Sequence, residues 1–231
     1  MFKQLLSLWN NDDLLRQAFK ETSEMLQIAK EFFTRAAAPL FLGESADKNM
    51  IYETDKLINK YEIDTRKKVL EHLSISRKQD TTAALVLTTI AVDIERLGDY
   101  SKNFFELWGL YGRQFSFAPI IDQLRTVNSN VDKMFDKTLE AFEIADSNTA
   151  HEVMAIHQIN SKLCENIIAE MIQEEELDLT LTCNQRVLVA LAARYLKRIS
   201  AHLKNIASSV VNPFDRIGYK PSENSQMPHN I

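Results

Sequence analysis

Five glycines and five prolines are all that the 231-residue chain contains. So few turn formers exclude a fold rich in tight turns and point to long helices joined by short loops. Cysteine is almost absent. Cys164 and Cys183 lack paired metal-ligand spacing and read as reduced thiols, not a disulfide. No basic block is present, the net charge is −5 and the pI is near 5.6, so a nucleic-acid partner is not expected. The longest apolar runs, around 83–94 and 187–193, are too short or too interrupted for a direct membrane span. Met1-Phe2-Lys3 leads into an amphipathic stretch, and no secretory signal pattern is expected. A glycine-rich phosphate loop is missing. The five histidines form no H-x-x-E-H, H-E-x-x-H or E-x-x-H array, and no Ser or Cys comes with an assignable base and orienter. Nucleotide binding and nucleophilic catalysis therefore have no support.

What is present is helical periodicity. Residues 1–10 form an amphipathic lead with Phe2, Leu5, Leu6, Leu8 and Trp9 apolar, suited to capping a bundle or, alternatively, to anchoring on a membrane surface or partner. Leu15, Ala18, Thr22, Met25, Leu26, Ala29, Phe32 and Phe33 keep i, i+3, i+4 spacing in a helix from Asn11 to Ala38, with Pro39 and Gly43 expected to end it. A second helix is expected over 45–73, with Ile51, Leu57, Ile58, Tyr61, Val69, Leu70 and Leu73 inward. A third follows over 80–110. Gly109, Gly112, Ser116 and Pro119 then break the pattern. Three more helices are expected over 119–145, 149–176 and 182–211, the fifth with Ile156, Ile159 and Leu163 among its inward residues. Residues 213–231 read as a polar tail, ordered only at Phe214 and Ile217. No segment shows convincing strand alternation.

The stretch Asp93-Ile94-Glu95-Arg96-Leu97-Gly98-Asp99-Tyr100-Ser101-Lys102-Asn103 has a faded copy 102 residues later. Arg96 meets Arg198, Lys102 meets Lys204 and Asn103 meets Asn205. The fold class is thus all-α, with two tandem, sequence-related antiparallel three-helix bundles over 11–112 and 117–212. Glu95, Asp99, Asn103 and Glu106 share one helix face, and Asp55, Asn59 and Glu62 form a second polar stripe that could face it. Gly98 costs roughly 1 kcal/mol inside a helix relative to alanine, a cost explained by close approach of a neighbouring helix. Read from the residues alone, Glu95 and Asp99 are either a solvated face paired with Arg96, Lys102 or the second helix, or two carboxylates bridged by a cation.

Asp93-Ile94-Glu95-Arg96-Leu97-Gly98-Asp99 followed by Asn103 resembles the signature of the PhoU family. Asp55, Asn59 and Glu62 resemble its companion acidic pattern. Asp80 stands at a family aspartate, although Thr81-Thr82 departs from the usual pair that follows. The resemblance covers about residues 11–211. It implies a metal-competent surface at Glu95, Asp99, Asp55 and Asn59, taking iron or zinc as the family commonly does. Oxygen ligands by themselves suit iron, manganese or magnesium. It also implies a regulator of phosphate uptake and phosphate-starvation signalling, cytoplasmic or peripheral to the inner membrane through its partners. Those partners would be a phosphate ABC transporter ATPase subunit and a sensor histidine kinase, and the protein would be a homodimer with no enzymatic activity.

The second half departs from the pattern. Lys197 and Ala201 replace the expected Glu and Asp, and His157, Ser161 and Cys164 stand where the first half has Asp55, Asn59 and Glu62. One metal-competent surface or none is therefore expected. Two alternatives remain beside the regulator. One is a metal-free helical scaffold serving another phosphate carrier. The other is a carboxylate-bridged metalloenzyme, disfavoured because no E-x-x-H motif is present.

Overall fold

Regular apolar spacing turns each long segment of the chain into one helix. The computed structural model describes residues 2–11, 13–75, 81–116, 120–173 and 181–219. The helices are α1 (Phe2–Asn11), α2 (Asp13–Phe41), α3 (Lys48–Ile75), α4 (Thr81–Tyr111), α5 (Ile120–Ile144), α6 (Ser147–Ile172) and α7 (Cys183–Val211). A 3-10 turn, Phe214–Arg216, follows. No strand occurs among the described residues. Asp80, the 76–79 link, residues 174–176 and 220–231 lie outside them.

Helices α2, α3 and α4 pack antiparallel as one bundle and α5, α6 and α7 as another. Lys68 bonds Glu21 across α2 and α3. Lys137 bonds Glu152 across α5 and α6, and Lys197 bonds Glu165 across α6 and α7. The bundles do not stand apart. Phe33 stacks on Phe135 at 5.5 Å, and α4 lies antiparallel to α7, so both bundles share one hydrophobic core. Tyr100 and His202 correspond under the 102-residue offset, and they stack on each other with ring centroids 5.8 Å apart. The third helices of the two repeats thus meet through equivalent positions, as in a pseudo-two-fold pair.

The lead segment is α1, and it is core. Phe2, Leu5 and Trp9 are buried, Trp9 stacks on Phe19 at 5.1 Å, and its indole N–H donates to the Ala83 carbonyl at 3.2 Å. A buried indole that has its hydrogen-bond partner is satisfied at both its apolar and polar ends. This face is not available as an anchor.

Three expectations are corrected. Pro39 does not end α2, which runs to Phe41. The missing N–H costs one bond near the last turn. The free carbonyls there are taken by Phe115 N–H on Leu40 at 2.9 Å and by the Gln114 side chain on Phe41 at 3.0 Å. Gly43, at φ 74°, turns the chain away. Leu57 and Leu70 of α3 and Ile159 of α6 face outward, at 41%, 68% and 56% exposed. The buried row of α3 is instead Ile51, Asp55, Ile58, Thr65, Val69 and His72. Finally, residues 213–219 are fastened to α7 beyond Phe214 and Ile217. The Asn212 amide donates to the Arg216 and Tyr219 carbonyls, and Gly218 N–H donates to Ser208 Oγ.

Candidate functional site

The acidic face of the first bundle depends on how closely α3 approaches α4. A Cβ added to Gly98 would lie 3.2 Å from Ile58 Cδ1, so glycine admits the neighbouring helix. That approach sets Asp55 of α3 against Lys102 of α4. Lys102 Nζ donates to Asp55 Oδ1 at 2.9 Å and to Asp99 Oδ1 at 3.4 Å. Arg96 donates to Asp99 Oδ2 at 2.9 Å and lies 3.4 Å from Glu95 Oε2. Tyr52 extends the face by donating to Glu106 at 3.2 Å. Asn59 is half-buried on the same side of α3.

The electrostatics follow from burial and crowding. Glu95 is pushed above the ordinary carboxyl value by burial first and by Asp99 next. Arg96 opposes this, and Glu62 and Asp55 add to it. Burial pulls Lys102 down, but its bonds to Asp55 and Asp99 outweigh burial and hold it above the usual lysine value. The Lys102 ammonium is therefore a firmly charged cation among the carboxylates.

A metal ion would need several converging donors. Among the described residues no three His, Cys, Asp or Glu side chains converge in that way. Asp55 and Asp99 share the Lys102 ammonium as their donor. Of the four sequence candidates, Asp55 and Asp99 are joined through Lys102, Glu95 adjoins them through Arg96, and Asn59 flanks them.

The corresponding face of the second bundle has the opposite chemistry. Lys197 bonds Glu165 at 2.6 Å, and Ser161 Oγ donates to the same oxygen at 3.2 Å. His157 Nδ1 lies 2.9 Å from Ser200 Oγ. Burial and the charges of Lys204 and Lys197 push His157 down to about 4, so its ring is neutral near pH 7. Cys164 is buried and its thiol is pushed up to about 12, chiefly by burial. His157, His202 and Cys164 do not form a soft metal site, because His202 turns instead to the junction between the bundles.

That junction was not legible as a site in the sequence. His202 Nδ1 lies 2.7 Å from Asp93 Oδ1, and the Asn205 amide donates to the same oxygen at 3.0 Å. Arg198 Nε donates to the Tyr100 hydroxyl at 3.1 Å. Asn205 thus bonds a carboxylate of the other repeat. Its persistence under the 102-residue offset was the one available signal.

The PhoU domain model matches the chain twice, over residues 22–107 and 124–210, one match in each bundle. A phosphate-specific transport system accessory protein PhoU homolog from Synechocystis sp. is 22% identical over 209 residues, 90% of this chain and 89% of that protein. Two solved structures share the fold. PhoU from Pseudomonas aeruginosa superposes with a TM-score of 0.76 at 20% identity, covering 86% of this chain and 95% of that one. The phosphate transport system regulatory protein PhoU from Streptococcus pneumoniae gives 0.72 at 17% identity, covering 85% and 92%. With two domain matches that together span most of its length, and with the helical order those structures share, this chain belongs to the PhoU family.

Proposed function

We propose that this chain regulates phosphate uptake and phosphate-starvation signalling as a non-catalytic helical adaptor. In this reading it contacts the ATPase subunit of a phosphate ABC transporter and a sensor histidine kinase, and it works as a homodimer. The observation that carries the reading is the pair of PhoU domain matches, supported by the relative described as a phosphate-specific transport accessory protein. Peripheral association through partners agrees with the helices: among the described residues none is long and apolar enough to cross a membrane.

The non-catalytic reading is supported by the one hydroxyl–imidazole contact described. Ser200 pairs with His157 but is fully buried and also touches Met134 Sδ, so no substrate carbonyl can reach its oxygen. The acidic face in this reading is a recognition surface whose internal cation is Lys102. Metal binding at Glu95, Asp99, Asp55 and Asn59 is the second reading. It is favoured by Glu95, which burial first and the neighbouring carboxylates next push up, a condition that an added cation would relieve. It requires Lys102 to leave Asp55.

The test is removal of the gene from its host with phosphate plentiful. The reading expects phosphate uptake and starvation-response transcription to rise, and to return to normal when the wild-type chain is restored. Unchanged uptake and transcription would overturn it.

A further inference from the structure

The second bundle carries a cleft of ≈ 410 Å³ between α6, α7 and the turn at Gly218. Its lining includes His157, Gln158, Ser161, Lys162, Glu165 and Lys204. It occupies the place that the acidic face holds in the first bundle, since His157, Ser161 and Lys204 correspond to Asp55, Asn59 and Lys102. Lys102 has two carboxylate partners, whereas Lys204 donates to the Gly218 carbonyl. Among the described residues, neither Lys204 nor Lys162 forms an ion pair. Glu165, the one carboxylate among the described lining residues, already accepts from Lys197 and Ser161.

The cleft therefore offers cationic and neutral donors with little acceptor capacity to spare. Lys204 is half-buried, and burial pulls it below the usual lysine value, with Asp93 opposing. An ammonium held in that condition gains from an anion beside it. A metal cation is disfavoured by the same lysines. A cleft of this size belongs to the range that holds small organic ligands, which leaves room for an organic body behind the anionic group.

We propose that this cleft binds a small phosphorylated compound. Its phosphate is held by Lys204, Lys162 and the His157 imidazole, and its organic part lies along Gln158 and Met154. Phosphate supplies several strong acceptor oxygens and up to two negative charges, matching two ammonium groups. The proposal rests on the second bundle alone. It stands or falls separately from the transporter reading, because its test measures binding by the isolated chain.

The experiment follows the His157 ring signals by NMR in the full chain during addition of AMP, glucose 6-phosphate or inorganic phosphate. Calorimetry supplies the affinities. At least one ester should shift the His157 signals saturably and bind more tightly than inorganic phosphate. Lys162→Met and Lys204→Met should each weaken that ester by about tenfold or more, as expected for one lost charge-assisted bond. Lys102→Met, in the first bundle, should leave the affinity unchanged. No shift of His157 with any probe up to about 10 mM, a concentration at which only negligible affinities escape notice, would overturn the proposal. Binding by Lys162→Met and Lys204→Met as tight as by the wild type, or inorganic phosphate binding as tightly as the esters, would also overturn it.

Discussion

Lys102 Nζ and Asp55 Oδ1 lie 2.9 Å apart and join α4 to α3 within a face otherwise rich in negative charge. Asp55 is only 9% exposed. Taking away one partner of such a pair leaves a desolvated charge behind, which costs more than the pair itself contributes. Lys102→Met should lower stability by about 1–3 kcal/mol in urea unfolding. Lys197→Met removes a bond to the exposed Glu165 and should cost about 1 kcal/mol or less. Equal losses in the two variants would show that Lys102 has no special place.

Glu95 gives a prediction of opposite sign. Its carboxyl is pushed up in the fold, so its favourable contribution exists only below the ordinary value of 4.5 and is lost as pH rises through the raised value. At pH 7 the charged form is a burden. Glu95→Gln should therefore raise the melting temperature at pH 7 in the presence of a chelator. The gain should shrink as pH falls through the raised value towards 4.5. A lower melting temperature at pH 7 would contradict the crowding described.

His157 titrates in the other direction from its ordinary value. Its folded value is about 4 against an ordinary 6.5. A depressed histidine favours the fold in its neutral form. Its contribution is complete above 6.5 and is lost as pH falls from there towards 4. NMR titration of the imidazole should give a midpoint near 4, and His157→Gln should flatten the acid limb of the stability profile. A midpoint near 6.5 would mean that the ring is solvated.

Asp93 joins the bundles by accepting from Asn205 while facing His202. Asp93→Ala strands both partners at a largely buried junction, and the expected cost is about 2–4 kcal/mol. Tyr195, Tyr100 and Phe104 pack beside it. The loss should therefore come with a change in near-ultraviolet circular dichroism while the helical far-ultraviolet signal persists. A variant as stable as the wild type would remove Asp93 from the account of how the repeats are held together.

Much of this architecture was legible because apolar spacing in α2 and α5 is dense and regular. Leu15, Met25, Phe32, Val127, Val131 and Phe135 are buried as their spacing predicts. Gly98 was legible too, since its helix cost needed a close neighbour, and Ile58 is that neighbour. Helix α3 was misjudged because periodicity counts apolar residues. Asp55 occupies a position in the buried row, and its partner Lys102 lies 47 residues away. Leu57 and Leu70 then filled the apparent gaps and were wrongly placed inward. The Asp93–His202 pair was hidden for the same reason, with its members 109 residues apart on helices of different repeats. Single-helix patterns carry no information about which charged faces meet.

The central claim, that the protein is an accessory of phosphate transport acting through protein contacts, is tested most directly by identifying what it binds. The wild-type chain would be cross-linked in its host with phosphate plentiful, purified, and its partners identified by mass spectrometry against an unrelated helical bait. The account predicts the ATPase subunit of a phosphate ABC transporter, together with a sensor histidine kinase. Recovery of a secondary phosphate carrier in their place would contradict it, and the chain would then be a scaffold for a different transport system.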